Sequence, residues 1–317
     1  MTTADAVRKP ILGSIVIGII AAIVIGLIAA DNRYSFPNQT NFQSQDTMIP
    51  QPQVSKIKVV ASFYPLYEFS KNIAGDKAEV SVLTPVGVEP HDWEPSTGDL
   101  IALQKSDIFV YNGMEPYVNK IMNSEEYTSV LFVQTSQGIE LASSDPHIWL
   151  DPILAKEQVT MIKDALIKVD ANNAQYYIDN ADTYSAKLDD LDNTIRSSLS
   201  NCKKDTIVPF HNAFSYFGTR YGIKINALSG IVPESEETAN DLKNLLDYVK
   251  QNQIKIIFAE ELVDPKLAKT LADETGARVL ILSPLEGLSK DEISSGKSYL
   301  DKMYENLDNV KIALECT

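Results

Sequence analysis

The sequence predicts an α/β protein in which two sheet-and-helix units flank one long helix. Three observations predict it. From residue 57 to about 134, short β-branched apolar runs alternate with helical patterns. Residues 172–200 then repeat apolar side chains at spacings of three and four. After that the strand–helix alternation restarts and runs towards the C-terminus. Such alternation favours mostly parallel sheets covered on both faces.

The N-terminal segment is expected to stand apart from this fold. Arg8 and Lys9 precede residues 11–30, which hold no charged side chain. Twenty helical residues span about 30 Å, the thickness of a bilayer's hydrocarbon. The apolar core of a cleaved secretory signal is usually only about 7–15 residues. Residues 1–30 are therefore expected to be an uncleaved membrane anchor, with secretion as the outcome if the run is removed. The basic end should face the cytoplasm and the body the outside. The cysteines stand only at 202 and 316, so no lipid-bearing cysteine is expected after the run. Residues 31–56 are rich in Asn, Gln, Ser and Pro and read as a flexible tether. Asn38-Gln39-Thr40 within it is a glycosylation-type sequon, a pattern common by chance.

The body reads as an N-terminal lobe at 57–171, a linking helix at 172–200 and a C-terminal lobe at 201–317. In the first lobe, strands are expected at 57–63, 80–83, 107–111 and 130–134, with helices at 66–74 and 98–105. A long helical stretch follows at 151–200. Its second part places Tyr177, Ala181, Tyr184, Leu188, Leu191 and Ile195 on one face, with Asn172 as its expected N-cap. The second lobe should have strands at 206–208, 224–228, 254–258 and 279–282. Helices are expected at 236–251 and at 265–275, the latter closed by Gly276. Twenty-eight basic against 43 acidic residues leave a net charge of −15, which argues against a nucleic-acid partner.

There are only three histidines, and each stands within two residues of a proline. They lie in Glu89-Pro90-His91-Asp92-Trp93, Asp145-Pro146-His147-Ile148-Trp149 and Pro209-Phe210-His211-Asn212. Proline fixes φ and disfavours helix at the residue before it, so these imidazoles sit on stiff loops and not on helix faces. Each loop follows an expected strand, where ligands of open α/β sheets bind. Two come from the first lobe and one from the second, which points to the cleft between lobes. Three neutral imidazoles brought together are what a borderline metal such as zinc requires. A hydrolase would use a similar set with a carboxylate base, Glu260 or Glu94, but no His-Glu-x-x-His or Gly-x-Ser-x-Gly motif is present. Cys202 and Cys316 form an even pair outside the membrane, which favours a disulfide over two separate thiols.

These segments together resemble the solute-binding proteins of zinc and manganese ABC uptake transporters, from about Ile57 to the C-terminus. The matching marks are Ala61-Ser62-Phe63-Tyr64-Pro65-Leu66, Pro90-His91-Asp92-Trp93-Glu94-Pro95-Ser96 and Asp145-Pro146-His147-Ile148-Trp149-Leu150-Asp151-Pro152. Pro209-Phe210-His211-Asn212-Ala213-Phe214, Phe258-Ala259-Glu260-Glu261 and Leu282-Ser283-Pro284-Leu285 complete them. The resemblance implies two α/β lobes joined by one rigid backbone helix, with the metal cleft between them. It implies His91, His147 and His211 as direct metal ligands, and a monomeric receptor whose partner is an ABC permease. An adhesin or scaffold of the same fold is the alternative. The His-rich loop of many zinc members is absent here. Relatives also commonly place an aspartate before the Pro-Leu pair as a fourth ligand, where this chain has Ser283. The fourth position is therefore expected to be water or Glu260, with Glu286 ranked behind. The metal should be zinc, with manganese the lesser alternative, and Ser283→Asp should narrow zinc's lead. Binding should fade below about pH 6, near the reference imidazole pKa of about 6.5.

Overall fold

Period-two alternation in the strands places the core. In β1 (Ile57–Ala61), Val59 and Ala61 turn to one face and Val60 to the other. α1 (Tyr64–Ala74) starts directly after it, with Pro65 in the first turn where its missing N–H is harmless. β2 (Ala78–Val82), α2 (Thr97–Gln104), β3 (Ile108–Tyr111), α3 (Val118–Met122) and β4 (Leu131–Gln134) follow. Ser96 and Asp99 form the capping box that starts α2. The four strands make one parallel sheet in the order β2-β1-β3-β4, with Val59 opposite both Val80 and Ile108. β3 is buried throughout, as a central strand covered on both faces must be. The computed structural model describes residues 56–91, 93–113, 115–141, 145–230 and 239–317. The expected anchor, the sequon and the tether up to residue 55 lie outside these. Among the described residues no helix is long and apolar enough to cross a membrane.

α4 (Pro152–Val169) and the 25-residue α5 (Ala174–Ser198) form the centre of the molecule. The α5 stripe of Tyr177, Ala181, Tyr184, Leu188, Leu191 and Ile195 is buried, as the spacing predicts. Its start differs from expectation. Asn172 lies in a short 3-10 turn (Ala171–Asn173), and α5 begins after it without a side-chain cap. The Asp170 carboxylate organises that turn instead, accepting from Asn173 Nδ2 (2.6 Å) and from the Tyr177 hydroxyl (2.8 Å).

The second lobe comprises β5 (Thr206–Ile207), α6 (Ser215–Tyr221), β6 (Lys224–Ile225), α7 (Ala239–Gln251), β7 (Ile256–Ala259), α8 (Lys266–Thr275), β8 (Arg278–Ile281), α9 (Lys290–Ser294) and α10 (Tyr299–Leu314). β5 pairs with β6 and β7 with β8, both in parallel, and Phe258 N donates to Val208 O (2.9 Å) between the two ladders. β6 covers only the first two residues of the expected 224–228 strand.

One apolar cluster runs from Val59, Ile108 and Phe69 through the α5 stripe to Ile256, Phe258 and Leu307. Smaller clusters cover the outer faces, around Phe109 in the first lobe and Ile257 in the second. The linking helix is thus packed into a core shared by both lobes. Bending it would expose Leu188, Leu191 and Ile195, each fully buried. That favours small shear and loop motion over hinge closure.

Cys202, just past α5, is bonded to Cys316 at the chain end, a sequence separation of 114. A loop of that length is worth roughly 4–5 kcal/mol in the chain-entropy model. Reduction, or the Cys202→Ser/Cys316→Ser variant, should therefore lower the urea midpoint by about 1 M or more. An unchanged midpoint would show that the segments beside the bridge hold each other without it.

Candidate metal centre

The C-terminal ends of five parallel strands converge on one point. The segment after β2 carries His91, the one after β4 His147, and the one after β5 His211. Glu260 follows β7, and Ser283 to Glu286 follow β8. Two of the histidines are held by the same device. Asp145 Oδ1 accepts from the His147 backbone N (3.0 Å) and from its Nδ1 (2.7 Å). Glu260 Oε1 does the same for His211, at 3.1 and 2.7 Å. A carboxylate can only accept there, so each Nδ1 carries a proton and Nε2 is the ring atom turned inward. At His91 the carboxylate two residues back, Glu89 Oε2, accepts the backbone N–H (3.0 Å).

The loops behind these residues are tied down in turn. Asn112 Nδ2 donates to Pro146 O (2.7 Å), and Gln158 Nε2 donates to Asn112 Oδ1 (3.2 Å). From the second lobe, the Tyr216 hydroxyl donates to Asp145 O (2.9 Å), and Arg220 pairs with Asp151 at the start of α4. Trp149 Nε1 reaches across to Pro284 O (2.8 Å).

The inward atoms are His91 Nε2, His147 Nε2, His211 Nε2 and one oxygen of Glu286, the four ligand-type groups that cluster among the described residues. His147 Nε2 lies 3.2 Å from both other imidazole nitrogens. Glu286 Oε1 lies 2.8 Å from His91, 3.0 Å from His147 and 3.6 Å from His211. Zinc–ligand bonds of about 2.0–2.1 Å in a tetrahedron put neighbouring ligand atoms about 3.3 Å apart. These five separations, 2.8–3.6 Å, lie around that figure, and all four atoms lie within 4.8 Å of one another. His147 and His211 are fully buried and the Glu286 side chain is 2% exposed, while that of His91 is 16% exposed.

The electrostatics follow from packing three imidazoles around one carboxylate. Burial alone would raise the Glu286 pKa, but the hydrogen bonds from His147, His211 and His91 hold it well below the usual carboxylate range. Burial pulls the His211 imidazole down, yet the Glu260 and Glu286 carboxylates outweigh it and lift it to about 10. His91 is raised as well, burial again being outweighed by Glu286 and Glu89. Glu89 is pushed up to about 7, first by burial and then by the Glu286 charge.

His91, His147 and His211 thus come together as the sequence predicts. Glu260 does not join their inward atoms. It sits behind the His211 ring, on Nδ1, where it orients the imidazole and cannot also reach the centre with that oxygen. Glu286 supplies the inward carboxylate instead. Ser283 is buried, and its hydroxyl accepts from Leu285 N (3.3 Å), so the premise that this chain has lost its carboxylate does not hold. The turn that delivers Glu286 depends on Leu285 at φ 56°, a left-handed conformation costing a non-glycine residue about 1–2 kcal/mol. Its fully buried side chain, packed in the shared core, helps keep it there. Glu94, the other base imagined for a hydrolase, forms an exposed pair with Lys120 (3.7 Å).

Residues 59–313 match the family described as zinc-uptake complex component A, periplasmic. The high-affinity zinc uptake system protein ZnuA of Bacillus subtilis is 39% identical over 280 residues, covering 82% of this chain and 88% of that protein. Among solved structures, the Zn(II)-bound ZnuA-like domain of Streptococcus pneumoniae AdcA superposes with a TM-score of 0.75 at 36% identity, covering 82% of this chain and all of that domain (100%). The laminin-binding protein Lmb of Streptococcus agalactiae, described as bifunctional with adhesin and metal transporting activity, gives 0.77 at 32% identity, with 82% and 100% covered.

Proposed function

The chain belongs to the zinc-uptake complex component A family, extracytoplasmic receptors of ABC transporters and not enzymes, and we propose that it takes one zinc ion on His91, His147, His211 and Glu286. The observation that supports this ligand set is the convergence of the four inward atoms at separations near those of a tetrahedral zinc site. The Nδ1–H groups of His147 and His211 are committed to carboxylates, so Nε2 is the atom each offers the metal. The ion is cargo, handed on to a membrane permease.

Three nitrogens and one oxygen in a small, buried set suit zinc. Manganese prefers oxygen-rich, higher-coordinate surroundings and stands lower in the affinity series. Protein purified without added metal should carry about one zinc per chain, and zinc should outcompete manganese by orders of magnitude in competition titrations. Comparable affinities for the two ions would overturn the assignment.

The body is placed outside the cytoplasm, and the uncharged run at 11–30 supports a membrane anchor for a monomeric receptor. A mature N-terminus beginning near Asp31 would refute the anchor. The likeness to Lmb raises an adhesin reading beside metal transport, and the buried set of four convergent ligand atoms supports the metal-binding part of it. Zinc capture is the function this geometry supports.

A further inference from the structure

Helix α10 meets the metal centre from behind. Tyr299, Lys302 and Asn306 stand at spacings of three and four, so they share one face of the helix. All three are buried, at 0%, 4% and 5% exposure, although two are polar and one is charged. Each reaches a different arm of the centre. The Tyr299 hydroxyl donates to Trp149 O (2.5 Å), two residues beyond His147. Lys302 Nζ donates to Glu261 Oε1 (2.5 Å) and to Glu292 Oε1 (2.7 Å), with Glu305 at 3.3 Å. Glu261 adjoins Glu260, which orients His211, and Glu292 completes the capping box of α9, just downstream of Glu286. Asn306 grips Ser283 at both backbone groups, accepting from its N–H (2.8 Å) and donating to its C=O (2.7 Å).

The need for such a grip follows from the sheet. The β7–β8 ladder ends where Leu282 N donates to Ala259 O (3.0 Å). Beyond that bond the Glu260 arm and the Glu286 arm leave the ladder, and the side chains of α10 bridge them. A zinc site tolerates ligand distances within only about 0.2 Å of their preferred values. A buried ammonium between carboxylates is an expensive way to fill space, since a well-packed apolar group there is often neutral or stabilising. Its presence is explained if the three-way ion pair sets a distance.

We propose that the Tyr299–Lys302–Asn306 face of α10 aligns the metal centre, with Lys302 as the positioning residue that fixes the His211 arm relative to the Glu286 arm. This rests on the ligand set proposed above. Lys302 touches neither the ligands nor the ion, so it acts through Glu261 and Glu292.

Cobalt(II) provides the test in the full chain, because its visible absorption is intense in a tetrahedral site and weak in five- or six-coordinate ones. Lys302→Met alone would strand Glu261 and Glu292, whereas Glu305 keeps its pair with Lys297 (2.5 Å), so the deciding variant is Lys302→Met/Glu261→Gln/Glu292→Gln, which removes those two charges with the lysine's. It should melt close to the parent without metal, yet bind zinc about 10–100-fold more weakly, the range typical for supporting partners. Its cobalt band should lose intensity. Asn306→Leu leaves the charges in place and should weaken zinc binding and the cobalt band in the same direction. Parent-like zinc affinity and cobalt spectra in both variants would overturn the proposal while leaving the ligand set intact. A parent protein that binds neither ion would overturn both.

Discussion

Glu286→Gln should weaken zinc binding by well over 100-fold, whereas Glu260→Gln should stay within the roughly 10–100-fold loss expected of a supporting partner. The two residues are chemically identical and both nearly fully buried, so the contrast comes from position alone. Glu286 Oε1 faces all three Nε2 atoms and, among the described residues, is the one carboxylate oxygen in that cluster. A glutamine there offers a neutral oxygen of poor ligand strength and brings an NH2 group towards a cation. Glu260 faces Nδ1 of His211 at 2.7 Å. A glutamine oxygen can still accept that N–H, so the tautomer survives and only the basicity of the imidazole falls. Competition against a chelator of known zinc affinity reads both variants on one scale. A larger loss in Glu260→Gln than in Glu286→Gln would reverse the two roles.

The same pair shows where sequence reading succeeds and where it stops. His91, His147 and His211 were legible because prolines hold them on loops and each loop follows a recognisable strand. The α5 stripe was legible because burial follows the 3.6-residue repeat. Glu286 was legible only as the lower-ranked carboxylate, because its direction is set by Leu285 in the left-handed region, and leucine does not announce a positive φ. The loops also carry a short-range signal. Glu89 and Asp145 each stand two residues before a histidine and accept its backbone N–H, a short-range pairing that marks how these loops are fixed. The role of Glu260 spans 49 residues between His211 and the end of β7, and no local pattern encodes it. The short β6 likewise reflects tertiary context, since Asn226 N pairs with Ile207 O (3.1 Å) just before the chain turns away.

Zinc affinity should rise about tenfold per pH unit for each proton displaced, and this rise should continue through neutral pH, not end near pH 6. The reference imidazole pKa sets the lower figure, but the carboxylates around His211 lift its pKa to about 10 against the opposing effect of burial. His91 is raised too. In metal-free protein at pH 7, His211 therefore holds a proton on Nε2 that zinc must expel. Titrations in buffers of different ionisation heat should show at least one proton released per zinc bound. The same linkage has the opposite sign for the metal-free fold. A group whose pKa is higher folded than unfolded stabilises the fold fully below the unfolded value, here about 6.5, and loses that contribution as pH rises towards the folded value. The melting temperature of the metal-free protein should accordingly fall between about pH 6.5 and 10. The zinc-loaded protein should not share that fall, because the ion replaces the proton as the charge facing Glu286. A flat zinc affinity between about pH 6 and 9, with no proton release, would show that Glu260 and Glu286 orient the imidazoles without charging them.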